Sequence, residues 1–237
     1  MRSSLPANDH FIQIYKNQAA AYHQLIAAED ADGNLLPALQ AVAPLSGARI
    51  LDLGSGSGRI PLLLQEIDCE IVASDIHHAM LVEQAAQAAA AGRRWPLLVA
   101  DGRRLPLAGG WADASIAGWA YGHFTGWSAD WRIEAQQAVA EMRRATRPGG
   151  VMVIFETLGT GALQPAPPNP ALADYYAWLE DELGFQRQAI ATDYDFGSVE
   201  RAAEICGFFF GEELAARVRQ NAWSRVPEWT GMWSRWA

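Results

Sequence analysis

The run Ile50-Leu51-Asp52-Leu53-Gly54-Ser55-Gly56-Ser57-Gly58-Arg59-Ile60 joins an acid, three glycines at alternate positions and the start of a helical pattern. Glycine adopts backbone angles closed to other residues and lets a ligand approach bare main chain. A helix N-terminus behind such a loop offers free N–H groups and the positive end of a dipole. The unit suits a small polar or anionic ligand held at the end of a parallel strand. Spacing narrows the choice. A dinucleotide loop reads Gly-x-Gly-x-x-Gly and seats a pyrophosphate. Here the glycines stand two apart and Asp52 precedes them. A carboxylate in that place suits an ammonium group and repels a pyrophosphate. Three further groups could move a proton: His123, whose ordinary pKa lies near neutrality, Glu156 and Tyr121. Glu156 could also bind a substrate amine.

These residues need elements to position them. An apolar strand over Ala48 to Leu53 is followed by a helix from Ile60 to Ile67, a strand from Cys69 to Ser74 ending at Asp75, and an Ala-rich helix from His78 to Ala91. Leu97 to Ala100, ending at Asp101, and Ala112 to Gly118 read as the third and fourth strands. A helix from Ile133 to Ala145 stops at Arg147-Pro148-Gly149-Gly150, and Val151 to Glu156 is the fifth strand. Strands alternating with helices predict an α/β doubly wound, mostly parallel sheet with right-handed crossovers. Before it, residues 10–28 carry a helical apolar stripe and 34–43 a second short helix. After it, the two glycines and four prolines of 159–170 predict a loop. Helices are expected over 174–182, 198–205 and 212–220, and strands over 186–196 and 223–233.

The Asp-x-Gly-x-Gly-x-Gly loop resembles the first motif of the class I S-adenosylmethionine-dependent methyltransferases. Ala100-Asp101-Gly102, followed two residues on by Leu105-Pro106-Leu107, resembles a later motif of that family. Trp111 to Gly118 looks like its fourth strand, and Arg147-Pro148-Gly149-Gly150 like its turn before the fifth, with Thr146 in place of the usual leucine. The motifs cover about residues 48–156 and are similar to the small-molecule group that includes the ubiquinone-biosynthesis C-methyltransferases. The resemblance implies S-adenosylmethionine as cofactor and a seven-stranded sheet with one reversed strand. It implies a cofactor pocket of Asp52, Gly54, Ser55, Gly56 and Gly58 on the loop. Asp75 sits at the ribose hydroxyls with Ile76 and Met80 beside it, and Asp101, Gly102 and Arg103 lie at the adenine. Gly118 and Trp119 face the methionine part, and Tyr15 and Tyr22 reach in from the N-terminal helix.

Composition bounds the rest. A net charge of −9 argues against nucleic acid as substrate. Two cysteines far apart suggest neither a disulfide framework nor a zinc site, and no carboxylate cluster suggests a metal. Met1 to His10 lacks the apolar core of a signal peptide, and no stretch is apolar enough to span a bilayer, so a cytoplasmic placement is expected. Of the ten tryptophans, Trp119, Trp127, Trp131 and Trp178 and the C-terminal Trp223, Trp229, Trp233 and Trp236 lie in segments where the family places its lid. The expected organisation is N-terminal lid helices over 1–47, a cofactor core over 48–156, and a lid insertion with the closing strands over 157–237. An aromatic lid favours a flat apolar or cationic small-molecule acceptor. The acceptor atom, O, N or C, and the oligomeric state stay open. A non-catalytic S-adenosylmethionine-binding protein and a nicotinamide-dependent oxidoreductase are the rival readings, the second opposed by the glycine spacing.

Overall fold

The computed structural model describes residues 7–237, with side chains from His10 onward. The reading of the first ten residues as free of a leader therefore lies mostly outside the described residues. In chain order the elements are α1 (Ala7–Asn17), α2 (Ala19–Ile26), α3 (Leu35–Val42), β1 (Arg49–Leu53), α4 (Arg59–Leu63), β2 (Glu70–Asp75), α5 (His78–Ala90), β3 (Leu97–Val99) and β4 (Ala112–Gly118). There follow α6 (Phe124–Trp127), α7 (Trp131–Ala145), β5 (Thr146–Thr160), α8 (Pro170–Ala177), β6 (Gln186–Ala191), β7 (Tyr194–Asp195), α9 (Val199–Phe210), α10 (Glu212–Gln220), β8 (Arg225–Val226) and β9 (Glu228–Trp236).

Seven strands form one sheet in the order β3-β2-β1-β4-β5-β9-β6, and β7 pairs with β8 in a separate ribbon. β9 runs antiparallel to both its neighbours, and the other pairings are parallel. The doubly wound sheet with one reversed strand is therefore present. Strand order reverses between β1 and β4, which opens a crevice at their carboxyl ends. Alternation along each strand feeds two cores. Leu51, Leu53, Met152 and Ile154 pack with α7 and α8 on one face, while Ile50, Val151, Val153 and Phe155 pack with α3 and α4 on the other.

Several boundaries differ from expectation for local reasons. The helical stripe of 10–28 is two helices, broken at Gln18, whose φ of −136° is not helical. The strand expected over 186–196 splits. β6 joins the sheet edge, but Asp195 N donates to Ala28 O and draws β7 onto the end of α2. The last strand splits at Pro227, which has no N–H to give a ladder. α9 runs past Gly207 to Phe210 and stops at Gly211, φ +98°.

The turn into the sheet part of β5 sets a packing limit. A Cβ at Gly150 would lie 2.7 Å from both the Asp113 carbonyl oxygen and Thr146 Cγ2. Gly150→Ala is expected to destabilise the fold by about 1–3 kcal/mol. Urea denaturation should show a lower midpoint with an unchanged m-value.

Candidate active site

The carboxyl ends of β1, β2 and β4 and the loop after β3 surround a cavity of about 370 Å³. Its floor is the glycine loop. Gly54, Gly56 and Gly58 all have positive φ, at +65°, +55° and +98°. Loop hydrogen bonds hold the turn: Ser55 N donates to Ser74 O at 2.9 Å and Gly58 N to Ser55 O at 3.0 Å. Gly54 has a second reason to lack a side chain, since a Cβ would lie 2.5 Å from Ala120 Cβ.

Asp52 is wholly buried at the tip of β1, and neither of its carboxyl oxygens has a hydrogen-bond partner among the described residues. Burial pushes its pKa up to about 7, the nearby Asp75 adding to the rise and the Ser55 hydroxyl opposing it. A buried acid left without a partner is the observation expected where an absent cation belongs. Asp75 differs. Its Oδ2 accepts from Gly56 N at 2.9 Å and its Oδ1 from His77 N at 2.7 Å, so it braces the loop while each oxygen keeps a lone pair. Burial raises its pKa and those two N–H groups oppose the rise. Asp101 is held by the Arg103 guanidinium, which also bonds Glu134, and Arg103 keeps the Asp101 pKa below the usual range.

A second cavity of about 620 Å³ lies beside the first. Tyr15, Tyr22, Arg59, Trp119, His123 and Trp127 line both and form the partition. His123 stacks flat on Trp127, centroids 4.6 Å apart, and its Nε2 meets the Tyr15 hydroxyl at 3.0 Å. Burial pushes the imidazole down to about 4, so it is neutral at pH 7. Trp119 has a φ of +51°, an outlier for so bulky a residue, and stacks on Phe155. The Arg59 guanidinium lies 3.7 Å from the Trp119 ring centroid and pairs with Glu29.

Of the residues picked from sequence, Asp52, Gly54, Ser55, Gly56, Asp75, Ile76, Met80, Asp101, Gly102, Arg103, Gly118, Trp119, Tyr15 and Tyr22 all line the first cavity. Gly58 does not. It precedes α4 and packs on Gln84, where a Cβ would lie 2.8 Å from Cγ. Tyr121 lines the wall, but its hydroxyl donates to Ala138 O and burial raises its pKa far above 10, so it is no base. Glu156 belongs to the second cavity, where Oε1 accepts from Gly122 N at 2.7 Å. Burial pushes its pKa up to about 8. Sequence reading missed Arg59 and Glu228. Arg59 had a signal: a cation in a helix's first turn opposes the dipole and needs a local reason.

A family profile described as a methyltransferase domain matches residues 51–154. The chain is 31% identical over 179 residues to a demethylmenaquinone methyltransferase of Mycolicibacterium vanbaalenii, covering 75% of this chain and 69% of that one. A malonyl-[acyl-carrier protein] O-methyltransferase of Enterobacter lignolyticus is 34% identical over 116 residues, 49% of this chain and 41% of its own. In fold, the chain resembles Haemonchus contortus phosphoethanolamine N-methyltransferase 2 solved with S-adenosyl-L-methionine. That likeness has a TM-score of 0.59 at 13% identity over 99% of this chain and 61% of the other. With its glycine loop at the switch point, its unpartnered buried acid and these relatives, the chain belongs to the class I S-adenosylmethionine-dependent methyltransferases.

Proposed function

We propose that the first cavity holds S-adenosylmethionine and the second holds a small-molecule acceptor, which takes the methyl group through the partition between them. The shared wall carries this reading: two adjoining cavities with six lining residues in common. A volume of about 620 Å³ falls in the range of small-molecule sites, roughly 300–1,000 Å³. The relatives act on menaquinone precursors and malonyl-carrier substrates by name, which supports a small acceptor and leaves its identity to experiment.

The residues fit the cofactor. Asp52 would take the ammonium of the methionine tail, the bare backbone at Gly54 and Gly56 would lie against that tail, and Asp75 would accept from the ribose hydroxyls. Asp101 and Gly102 would meet the adenine, with Ile76 and Met80 as its apolar flank. When bound, the cofactor supplies a methyl group made electrophilic by a positively charged sulfur. What remains for the chain is alignment, which supplies on the order of 7–11 kcal/mol in favourable cases, and removal of a proton where the acceptor arrives protonated. Glu156 is better matched to that task than His123. Its pKa of about 8 lies near working pH, whereas an imidazole at about 4 is a weak acceptor of protons. His123 is then a positioning residue, fixed by Trp127 and Tyr15. The helices over residues 7–47 and the segment 157–185 act as lid around the core of 48–156, and 157–237 also supplies the closing strands. The net charge supports a partner other than nucleic acid, and among the described residues no helix is long and apolar enough to cross a membrane. Two free cysteines accord with a cytoplasmic setting.

Calorimetry with S-adenosylhomocysteine tests the cofactor assignment. Asp52→Asn and Gly56→Val should each weaken binding by about tenfold or more, roughly the 1.4 kcal/mol that a lost charged contact or blocked approach exceeds. Undiminished binding by both variants would remove the assignment.

The same acid sets a pH dependence. Asp52 has a folded-state pKa of about 7 against an ordinary 3.8, so the unfolded chain loses its proton first as pH rises. Stability of the ligand-free protein should therefore fall between about pH 4 and pH 7. Asp52→Asn should flatten that fall in urea midpoints measured across the window.

A further inference from the structure

The walls of the second cavity are unevenly charged. Glu156, Glu213 and Glu228 line it against Arg59 and Arg217. Both cations are engaged elsewhere: Arg59 pairs with Glu29 and stacks on Trp119, and Arg217 Nη2 donates to Gly161 O at 2.6 Å. Among the described residues, Glu156, Glu213 and Glu228 form no ion pair. Glu228 is 1% exposed, its Oε1 accepts from the Thr157 hydroxyl at 2.8 Å, and its Oε2 has no partner among the described residues. Burial lifts its pKa to about 7, with Asp193 adding to the rise and Arg59, Thr157 and Thr160 opposing it. Glu156 stands on the neighbouring strand, β5 beside β9.

The apolar walls form a corner. Phe209 and Phe210 meet at 89° with centroids 4.9 Å apart, Tyr194 stands at 66° to Phe210, and Tyr22 lies 5.4 Å from Phe209. Ring faces around a pocket attract a cation, and a buried carboxylate beside them supplies its counter-charge. An anionic acyl group would be repelled by an ionised Glu228, and a group with no N–H or O–H donor would leave its Oε2 without a partner.

We propose that the acceptor is an amine, bound as its ammonium against the carboxyl of Glu228 in the cavity that Glu156 also lines, with its apolar body against the Phe209–Phe210–Tyr194 corner. The inference rests on the second cavity being the acceptor site. Proton and electron balance is simple. The ammonium gives one proton to a carboxylate of the cavity. The freed nitrogen lone pair forms the bond to the methyl carbon as the carbon–sulfur bond breaks, its electrons remaining on sulfur. The product is the N-methylated ammonium, and the proton held by the carboxyl passes to solvent.

The test is calorimetry on protein saturated with S-adenosylhomocysteine, using three probes of one shape: phenethylamine, 2-phenylethanol and phenylacetate. The amine should bind about tenfold or more tightly than the alcohol, the carboxylate weakest. Titrations at pH 6 in buffers of different ionisation enthalpy should show proton release on amine binding, as Glu228 ionises to meet the cation. Glu228→Gln should erase the amine's preference and the proton release while leaving S-adenosylhomocysteine affinity unchanged, which also reports that the variant is folded. Should that variant fail to fold, the probe ranking and proton release of the unaltered protein decide. Equal binding of the alcohol, preference for the anion, or no amine binding overturns the amine while methyl transfer stands. An amine that binds selectively but ignores both Glu228→Gln and Phe209→Ala sits elsewhere, and overturns the acceptor-cavity reading with it.

Discussion

The site is organised around a carboxylate that the protein buries and does not pair. Asp52 stands one residue before the end of β1, between β2 and β4, and is fully buried. Moving its pKa from 3.8 to about 7 corresponds to roughly 4 kcal/mol of bias against its charged form. Serine hydroxyls and backbone N–H groups stand near, yet none satisfies it geometrically. The neighbouring acid, Asp75, takes the Gly56 and His77 N–H groups instead. One carboxylate thus shapes the loop while the other is kept free for a cation. That division explains why the glycines must alternate: each positive φ turns the chain so that Gly56 N points to Asp75 and bare backbone faces the cavity.

The partition obeys a related constraint. On the proposed reading it excludes water from the reacting atoms yet lets a methyl group pass between the cavities. Aromatic rings meet the first demand. The His123–Trp127 stack, the Tyr15 hydroxyl and the Trp119 ring fill the boundary without placing a permanent anion there. The one cation in the wall, Arg59, is matched by Glu29 and flattened against Trp119. Trp119 sits in a left-handed conformation, with its N–H bonded to Phe155 O at 2.7 Å. Strain of that kind costs on the order of 1–3 kcal/mol and persists only where surrounding contacts fix it. Here Phe155 below and Arg59 beside it do so, and the indole is thereby held at the border of both cavities.

The cofactor side was legible in the sequence because it is local. A strand, a glycine loop and an acid lie within a dozen residues, and the later acids each follow a strand, so one-dimensional spacing fixes their place at one sheet edge. Gly58 was misassigned because alternate glycines look alike in sequence, while only the third serves a helix start and the packing of Gln84. The acceptor side was mostly illegible because it is assembled from distant segments. Phe11, Glu156, Phe209 and Glu228 come from α1, β5, α9 and β9, and no periodicity links them. Glu228 in particular falls in the middle of the strand expected over 223–233 and carries no signal of its own. Its burial is visible only once β9 is inserted between β5 and β6. Tyr121 misled for the opposite reason: it stands in sequence where a reactive group should, but its ring belongs to the core and its hydroxyl to α7.

Placing the reversed strand between β5 and β6 has a functional consequence. A parallel strand there would present its carboxyl end at the crevice, as β1, β2 and β4 do. β9 instead enters the sheet at the crevice edge with its first residues, so Glu228 lies opposite Thr160 at the end of β5 while Glu156 lies opposite Gly231. Two buried carboxyls from strands of opposite direction can then share one cavity, each anchored at its own end by backbone or hydroxyl donors. Burial is the main cause that raises both groups, to about 7 and about 8, so the cavity favours protonated carboxyls. A bound cation would reverse the preference. On the proposed reading, the charge state of the second cavity follows its occupant and that of Asp52 follows the cofactor.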